Sequence, residues 1–244
     1  MGQTSTPSSS VGEPLLSVTR LNVAFGSRVV IHDLSFQARA GDCLAVIGPN
    51  GSGKTVLLTA LLNLIPYEGE VRWSQSARLG YVPQKIAADR QLPLQLKDLM
   101  QAKAALLKLP TKELDQVFSE VGLTRELLNT HIGHLSGGQF QKALIAFALL
   151  GGPNVLLFDE PTASLDELSE ERIYELLHSL QTEKNMTVIL VSHDLSVVYR
   201  YANMVLCMSK EHPCMGPPTE VLTPAMLGDL YGAPAKYHRH AEGH

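Results

Sequence analysis

The chain has 244 residues and a formal net charge of -4, from 24 acidic residues against 20 Lys and Arg. With no Lys/Arg cluster, that balance excludes a nucleic-acid binder working by bulk charge, so no nucleic-acid partner is expected. At 45% hydrophobic and 18% charged the composition suits a folded soluble domain, and no apolar run reaches the roughly 20 residues of a bilayer-spanning helix.

Residues 1–14 read as a disordered leader of Ser, Thr and Pro without an apolar signal-peptide core. Met1-Gly2-Gln3-Thr4-Ser5-Thr6 fits the short N-myristoylation pattern, but a plain polar lead-in is the preferred reading. Short strands are expected at 15–21, 29–31 and 34–38. The continuous apolar run 43–47, ended by Gly48, predicts a strand buried on both faces, and a helix follows over 54–64. Further strands are expected at 70–73 and 79–82, the second leading into Pro83-Gln84. Leu96, Leu99, Met100 and Leu107 share one helical face, and Leu114, Val117, Phe118 and Val121 repeat the pattern. Residues 85–138 therefore read as an inserted helical lobe. Beyond it come a helix over 139–150, a strand over 155–158 and a helix marked by Ile173, Leu176, Leu177 and Leu180. A strand over 187–191, a helix marked by Leu195, Val198, Tyr199 and Ala202, and a strand over 204–208 complete the series. Alternating strands and helices imply a mostly parallel sheet.

Three cysteines, Cys43, Cys207 and Cys214, are odd in number and lack metal-site spacing. Cys43 and Cys207 sit in apolar strand-like runs and read as buried small hydrophobes, so no disulfide framework is expected. Residues 233–244 read as a flexible tail. His238, His240 and His244 there have imidazoles of the metal-binding kind, although a solvated polar ending is preferred.

Gly48-Pro49-Asn50-Gly51-Ser52-Gly53-Lys54-Thr55 fits the G-x-x-x-x-G-K-[ST] pattern, with a strand before it and a helix after it. Its glycines let backbone N–H groups curl toward the β- and γ-phosphates of a nucleotide, and the helix adds its positive dipole end. Lys54 supplies a full charge, and the Thr55 hydroxyl is a hard ligand for Mg²⁺. Asp159 ends a buried strand, where a carboxylate reaches the metal or its waters; Glu160, one step on, is placed to polarise an attacking water. Gln84 has an amide oxygen suited to Mg²⁺ or that water. His193, after the strand 187–191, is placed to bond a γ-phosphate oxygen, and Asp194 is a plausible cap for the next helix. Read alone, Gln84 is a turn residue and His193 a surface histidine.

Joined in this order with Leu135-Ser136-Gly137-Gly138-Gln139, these segments resemble the ATP-binding cassette (ABC) ATPases over residues 15 to about 209. The resemblance implies an α/β P-loop NTPase of ABC type: a mostly parallel central sheet, an antiparallel β subdomain and an inserted helical subdomain within a domain over 15–232. It implies ATP and Mg²⁺ as cofactors. By the same resemblance Phe25 stacks on adenine, Gln84 is the Q-loop glutamine, and Ser136, Gly137, Gly138 and Gln139 form the signature. Asp159 and Glu160 become the Walker B pair, Ser164-Leu165-Asp166 the D-loop and His193 the switch histidine. Phe replaces the Tyr frequent at position 25, and Lys142 stands where many relatives carry Arg. The signature is expected to cap ATP bound to a second copy, so that ATP joins a homodimer.

Residues 191–198, the apolar strand over 205–208, the Gly216-Pro217-Pro218 turn and Leu227, Leu230, Tyr231 and Gly232 are similar to ATPases of the zinc and manganese importer group. That likeness implies a peripheral ATPase at the cytoplasmic face of the inner membrane. Its implied partners are a membrane permease and, indirectly, an extracytoplasmic metal-binding protein. The alternatives are the ATPase of an iron-siderophore or other small-solute importer, and a soluble non-transport ABC ATPase.

Overall fold

The structure is a computed structural model that describes residues 13–84, 93–160, 165–209 and 213–232. Most of the expected leader, the start of the helical lobe, Ser164 and the His-containing tail lie outside the described residues. No described helix is long and apolar enough to cross a membrane.

The strands β1 (Leu16–Phe25), β2 (Arg28–Ala38) and β4 (Glu68–Trp73) form an antiparallel sheet in the order β2-β1-β4. A larger sheet is built from β3 (Cys43–Ile47), β5 (Leu79–Val82), β6 (Val155–Asp159), β7 (Thr187–Val191), β8 (Met204–Cys207) and β9 (Cys214–Gly216). Its order is β5-β6-β7-β3-β8-β9, parallel throughout except for β8 against β9. Every residue of β3, β6 and β7 is buried, as expected of parallel strands covered on both faces. Because β5, β6, β7 and β3 run the same way, their carboxyl ends share one edge. Gly48, Gln84, Glu160 and His193 all follow those ends, so topology alone gathers them.

Helix α1 (Lys54–Leu61) buries Leu57, Leu58 and Leu61 against Leu44 and Val46 of the large sheet and Val18, Leu21 and Ile31 of the small one. The small sheet is thereby fixed beside the phosphate loop. In the helical lobe, α2 (Leu96–Leu106) and α3 (Thr111–Glu120) bury Met100, Leu114, Val117 and Phe118 in a core shared with α4 (Gly137–Leu149) and α5 (Glu167–Lys184). The remaining helices are α6 (Leu195–Tyr201), capped by Asp194 as expected, α7 (Pro218–Val221) and α8 (Pro224–Tyr231).

Apart from shifts at element ends, such as α1 closing at Leu61 and β1 running on to Phe25, the structure differs from the sequence reading at three places. The two strands expected at 29–31 and 34–38 are one, β2, interrupted only by a kink. There Asp33 adopts φ 46° while its N–H donates to Asn22 Oδ1 at 2.9 Å, and the ladder shifts register. Leu107, expected on the buried face of α2, caps the helix end and is 44% exposed; Ala104 fills the core instead. Cys207 is buried as expected, yet it is bonded to Cys214, because the unforeseen edge strand β9 brings Cys214 into register opposite it.

Candidate functional site

The segment from Gly48 to Gly53 turns out of β3 and enters α1 through Gly53, whose φ of 98° is easily reached without a Cβ. Gly48 is required for space: a Cβ there would lie 2.6 Å from the Met208 carbonyl oxygen and 2.8 Å from Ser52 Oγ. Lys54 is buried, its Nζ donating to the carbonyls of Gly48 at 2.9 Å and Pro49 at 3.3 Å. The ammonium is thus folded back over its own loop. Among the described residues, the buried Ser52 Oγ has no hydrogen-bond partner. A buried hydroxyl without a partner beside a lysine and a helix N-terminus suits phosphate oxygens, which accept both.

At the end of β6, Asp159 is buried and its Oδ1 accepts from Thr55 Oγ1 at 3.1 Å. Burial holds the Asp159 carboxyl above the usual range; the Thr55 bond pulls it back, Glu160 pushes it up and Lys54 lowers it again. Burial, then Asp159, also pushes the neighbouring Tyr81 phenol up to about 12. A carboxylate and a hydroxyl held together are hard oxygen donors that fit Mg²⁺.

Glu160 sits at φ 42°, a left-handed conformation that costs a non-glycine residue roughly 1–3 kcal/mol. Its N–H donates to Val191 O at 3.2 Å, which ties the turn to β7. Its Oε1 is 3.7 Å from Lys54 Nζ, and its Oε2 accepts from Gln84 Nε2 at 2.6 Å. Gln84 therefore turns its amide nitrogen toward Glu160, whereas the expected metal role uses the oxygen.

Phe25, Asn50, Gly51, Gly53, Lys54, Thr55, Gln84 and Glu160 line one cleft of about 540 Å³, a volume that suits a nucleotide. Phe25 and Arg28 are paired across the tip of the β1–β2 hairpin, and both reach this cleft. Phe25 is 51% exposed, so an aromatic face is offered where stacking needs one. His193 is exposed and does not line the cleft.

Ser136 caps α4 from elsewhere. Its Oγ accepts from Gln139 N–H at 3.2 Å, while Gln139 Oε1 accepts from Ser136 N–H at 3.0 Å, a reciprocal capping box. Gly138 packs so that an added Cβ would lie 3.3 Å from Ser169 Oγ of α5. Asp166 caps α5, its Oδ1 accepting from Ser169 N–H at 2.9 Å and its Oδ2 from Ser169 Oγ at 2.8 Å. Those bonds hold the Asp166 carboxyl below its ordinary range. Ser136, Gly138 and Gln139 line a separate groove with Lys142 and Arg172, which shares no residue with the cleft.

The structure also supplies residues missed in sequence. Arg28 lines the cleft, and its signal was a lone cation in the turn after Phe25. Tyr231 of α8 bonds the Gly48 backbone from behind the loop, its phenol raised by burial and lowered by that bond. Nothing in the local sequence around Tyr231 announces that contact.

Residues 31–163 match the family described as ABC transporter. The chain belongs to the ABC transporter family. Among its relatives, the zinc import ATP-binding protein ZnuC of Yersinia enterocolitica is 36% identical over 238 residues, covering 94% of this chain and 92% of the relative. The ZnuC of Haemophilus influenzae is 34% identical over 221 residues, 90% of this chain and 81% of the relative. A metal-chelate type ABC transporter in an inward-facing conformation superposes with a TM-score of 0.82 at 29% identity, over 91% of this chain and 90% of that one. MJ1267, an ATP-binding cassette in its ADP conformation, has a TM-score of 0.78 at 19% identity over 91% and 100%, which shows the fold alone. This ABC protein is an ATPase whose hydrolysis is coupled to transport across a membrane.

Proposed function

We propose that this ABC ATPase energises zinc import as a homodimer closed around ATP at the cytoplasmic face of the inner membrane. The observation that carries the dimer is the separation of the signature groove from the cleft within one chain. A γ-phosphate in the cleft then meets a signature only from a second copy, and each copy completes the other's site. The zinc assignment is supported by the ZnuC names of the relatives at 30–36% identity. The working domain is 15–232, with its helical subdomain at 85–138, a leader before it and a tail after it. A membrane permease receives the motion, and an extracytoplasmic metal-binding protein selects the ion.

The geometry supports the following roles. The loop N–H groups, Ser52 and Lys54 hold the phosphates, and Phe25 and Arg28 hold the base end. Thr55 and Asp159 would hold Mg²⁺, with Gln84 after its amide turns; the ion supplies charge neutralisation at the phosphates. Lys54 leaves its loop carbonyls and Glu160 to reach the nucleotide. Glu160, so released, polarises the attacking water. From the partner copy, Ser136, Gly137, Gly138 and Gln139 cap the γ-phosphate with N–H groups at a helix N-terminus, while Asp166 fixes the adjoining turn. His193 moves from its exposed position to bond the γ-phosphate when the dimer closes. Loss of that phosphate on hydrolysis weakens the cap and opens the dimer.

A second reading, import of a chelated metal, is favoured by the metal-chelate type transporter at 29% identity. The experiment is elemental analysis of cells lacking this chain, restored with the native form or with Glu160→Gln. A selective fall in zinc, rescued only by the native form, is the expected result. A fall in iron or another metal instead favours the second reading, and unchanged metals under depletion contradict both.

A further inference from the structure

Cys207 ends β8 and Cys214 begins β9; they are cross-strand partners, bonded, with Cα atoms 5.0 Å apart. Residues next to the pair, Met208, Ser209 and Pro213, lie against the phosphate loop. Met208 N–H donates to Ile47 O at 2.7 Å, and its carbonyl occupies the space beside Gly48 that excludes a side chain. Met208, Ser209 and Pro213 line a cavity of about 320 Å³ with Gly51 and Ser52. Anything that loosens Met208 and Ser209 therefore loosens the wall beside Gly48 and Ser52.

We infer that Cys207 and Cys214 form a reversible thiol–disulfide site whose redox state sets how tightly the phosphate loop holds nucleotide. The inference rests on the ATPase reading of the same loop. A subunit driven by ATP works in the compartment where ATP and reduced thiols coexist, and disulfides there are characteristically transient and redox-sensing. The antiparallel ladder Val205↔Gly216, Leu206↔Met215 and Cys207↔Cys214 keeps the sulfurs adjacent whether or not they are bonded. Oxidation and reduction thus need no rearrangement of the strands. The cysteines are only 7 apart in sequence, so the bond acts on its immediate neighbours far more than on the whole fold.

The two sulfurs also differ in access. Cys207 is fully buried and Cys214 half-buried, which makes Cys214 the entry point. The partner reagent is a small-molecule disulfide of the glutathione type. Starting from the dithiol, the Cys214 thiolate attacks one reagent sulfur, breaks the reagent S–S bond and releases one thiol. The Cys207 thiolate then attacks Cys214 Sγ, forms the protein S–S bond and releases the second thiol. Two electrons and two protons pass from the cysteine pair to the reagent. Cys43 takes no part: it is buried elsewhere, and burial, then Asp42, pushes its thiol up to about 12.

The test uses the full chain, equilibrated in glutathione buffers from reducing to oxidising. Free thiols are counted by mass spectrometry after denaturing alkylation, and the Kd of a fluorescent ATP analogue is measured with Mg²⁺ in each buffer. The expected result is reversible loss of the Cys207 and Cys214 thiols with a several-fold tighter Kd in the oxidised chain. Cys214→Ser should show the weaker Kd in every buffer, and Cys207→Ala should trap one glutathione on Cys214. Cys214→Ala repeats the first variant should the serine disturb folding. A pair that stays oxidised in reducing buffer, a pair that never oxidises, or a Kd blind to its state overturns the inference alone. A folded chain that binds no nucleotide in either state overturns the ATPase reading and this inference with it.

Discussion

The cleft at the end of β3 and β6 and the groove at the start of α4 are both built on helix N-termini, yet they are finished to different degrees. In the cleft, buried Lys54 lies against Glu160, which sits at positive φ, and the buried Asp159 carboxylate is bonded to Thr55. At Ser136 the polar side chains satisfy each other in a capping box, in a groove lined by Lys142 and Arg172. On the proposed function, a nucleotide takes over the contacts that hold the first region together. The second is stable as it stands and offers a dipole end to something that arrives from outside. The difference is what the proposed dimer requires: one chain holding two halves of different sites.

The largest expected effect breaks the chemistry of the cleft without its grip. Glu160→Gln should cut steady-state hydrolysis by about 10²–10⁴-fold while ATP-analogue affinity holds, because a positioned base is worth that much and the binding groups remain. Phosphate release and equilibrium binding on the same preparation check it. Next, Lys54→Ala should weaken nucleotide binding by roughly 10- to 150-fold, the worth of about 1.5–3 kcal/mol for a hydrogen bond to a charged group. Titration of the fluorescent analogue reads it directly.

Ser136→Ala sharpens the comparison from the other side. It should lower stability by about 1 kcal/mol through loss of the cap and reduce hydrolysis, while nucleotide affinity of the isolated chain stays native. A matching loss of monomer affinity would mean that the two regions are not separate halves. The smallest effect concerns Asp166. Its carboxyl is held low by Ser169, so the charged cap stabilises α5 at neutral pH and loses that contribution as pH falls through the lowered pKa. Melting curves of native chain and Asp166→Asn should differ most near neutrality and converge in acid.

Much of the architecture is readable in the sequence because its central strands are buried on both faces. Cys43–Ile47, Thr187–Val191 and the strand ending at Asp159 stand out as unbroken apolar runs, and the phosphate loop sits where one of them stops. The misses share a cause. Arg28, Tyr231 and the Cys207–Cys214 bond matter through partners brought near by the fold, and their own neighbours in sequence carry no periodic signal. β9 is 3 residues long and contains Gly216, too short to alternate. Leu107 was misplaced because its spacing from Leu96 fits a helix that ends at Leu106. Gln84 follows β5, as its place after an apolar run implies, but which end of its amide faces Glu160 is decided only by the packed site.

The central claim is that the hydrolytic site is complete only across two copies of this chain. Analytical ultracentrifugation of Glu160→Gln with ATP and Mg²⁺ tests it most directly. The account predicts a dimer that retains one nucleotide per chain and fails to form when Ser136→Arg is added. A Glu160→Gln chain that binds nucleotide yet sediments as a monomer would contradict it.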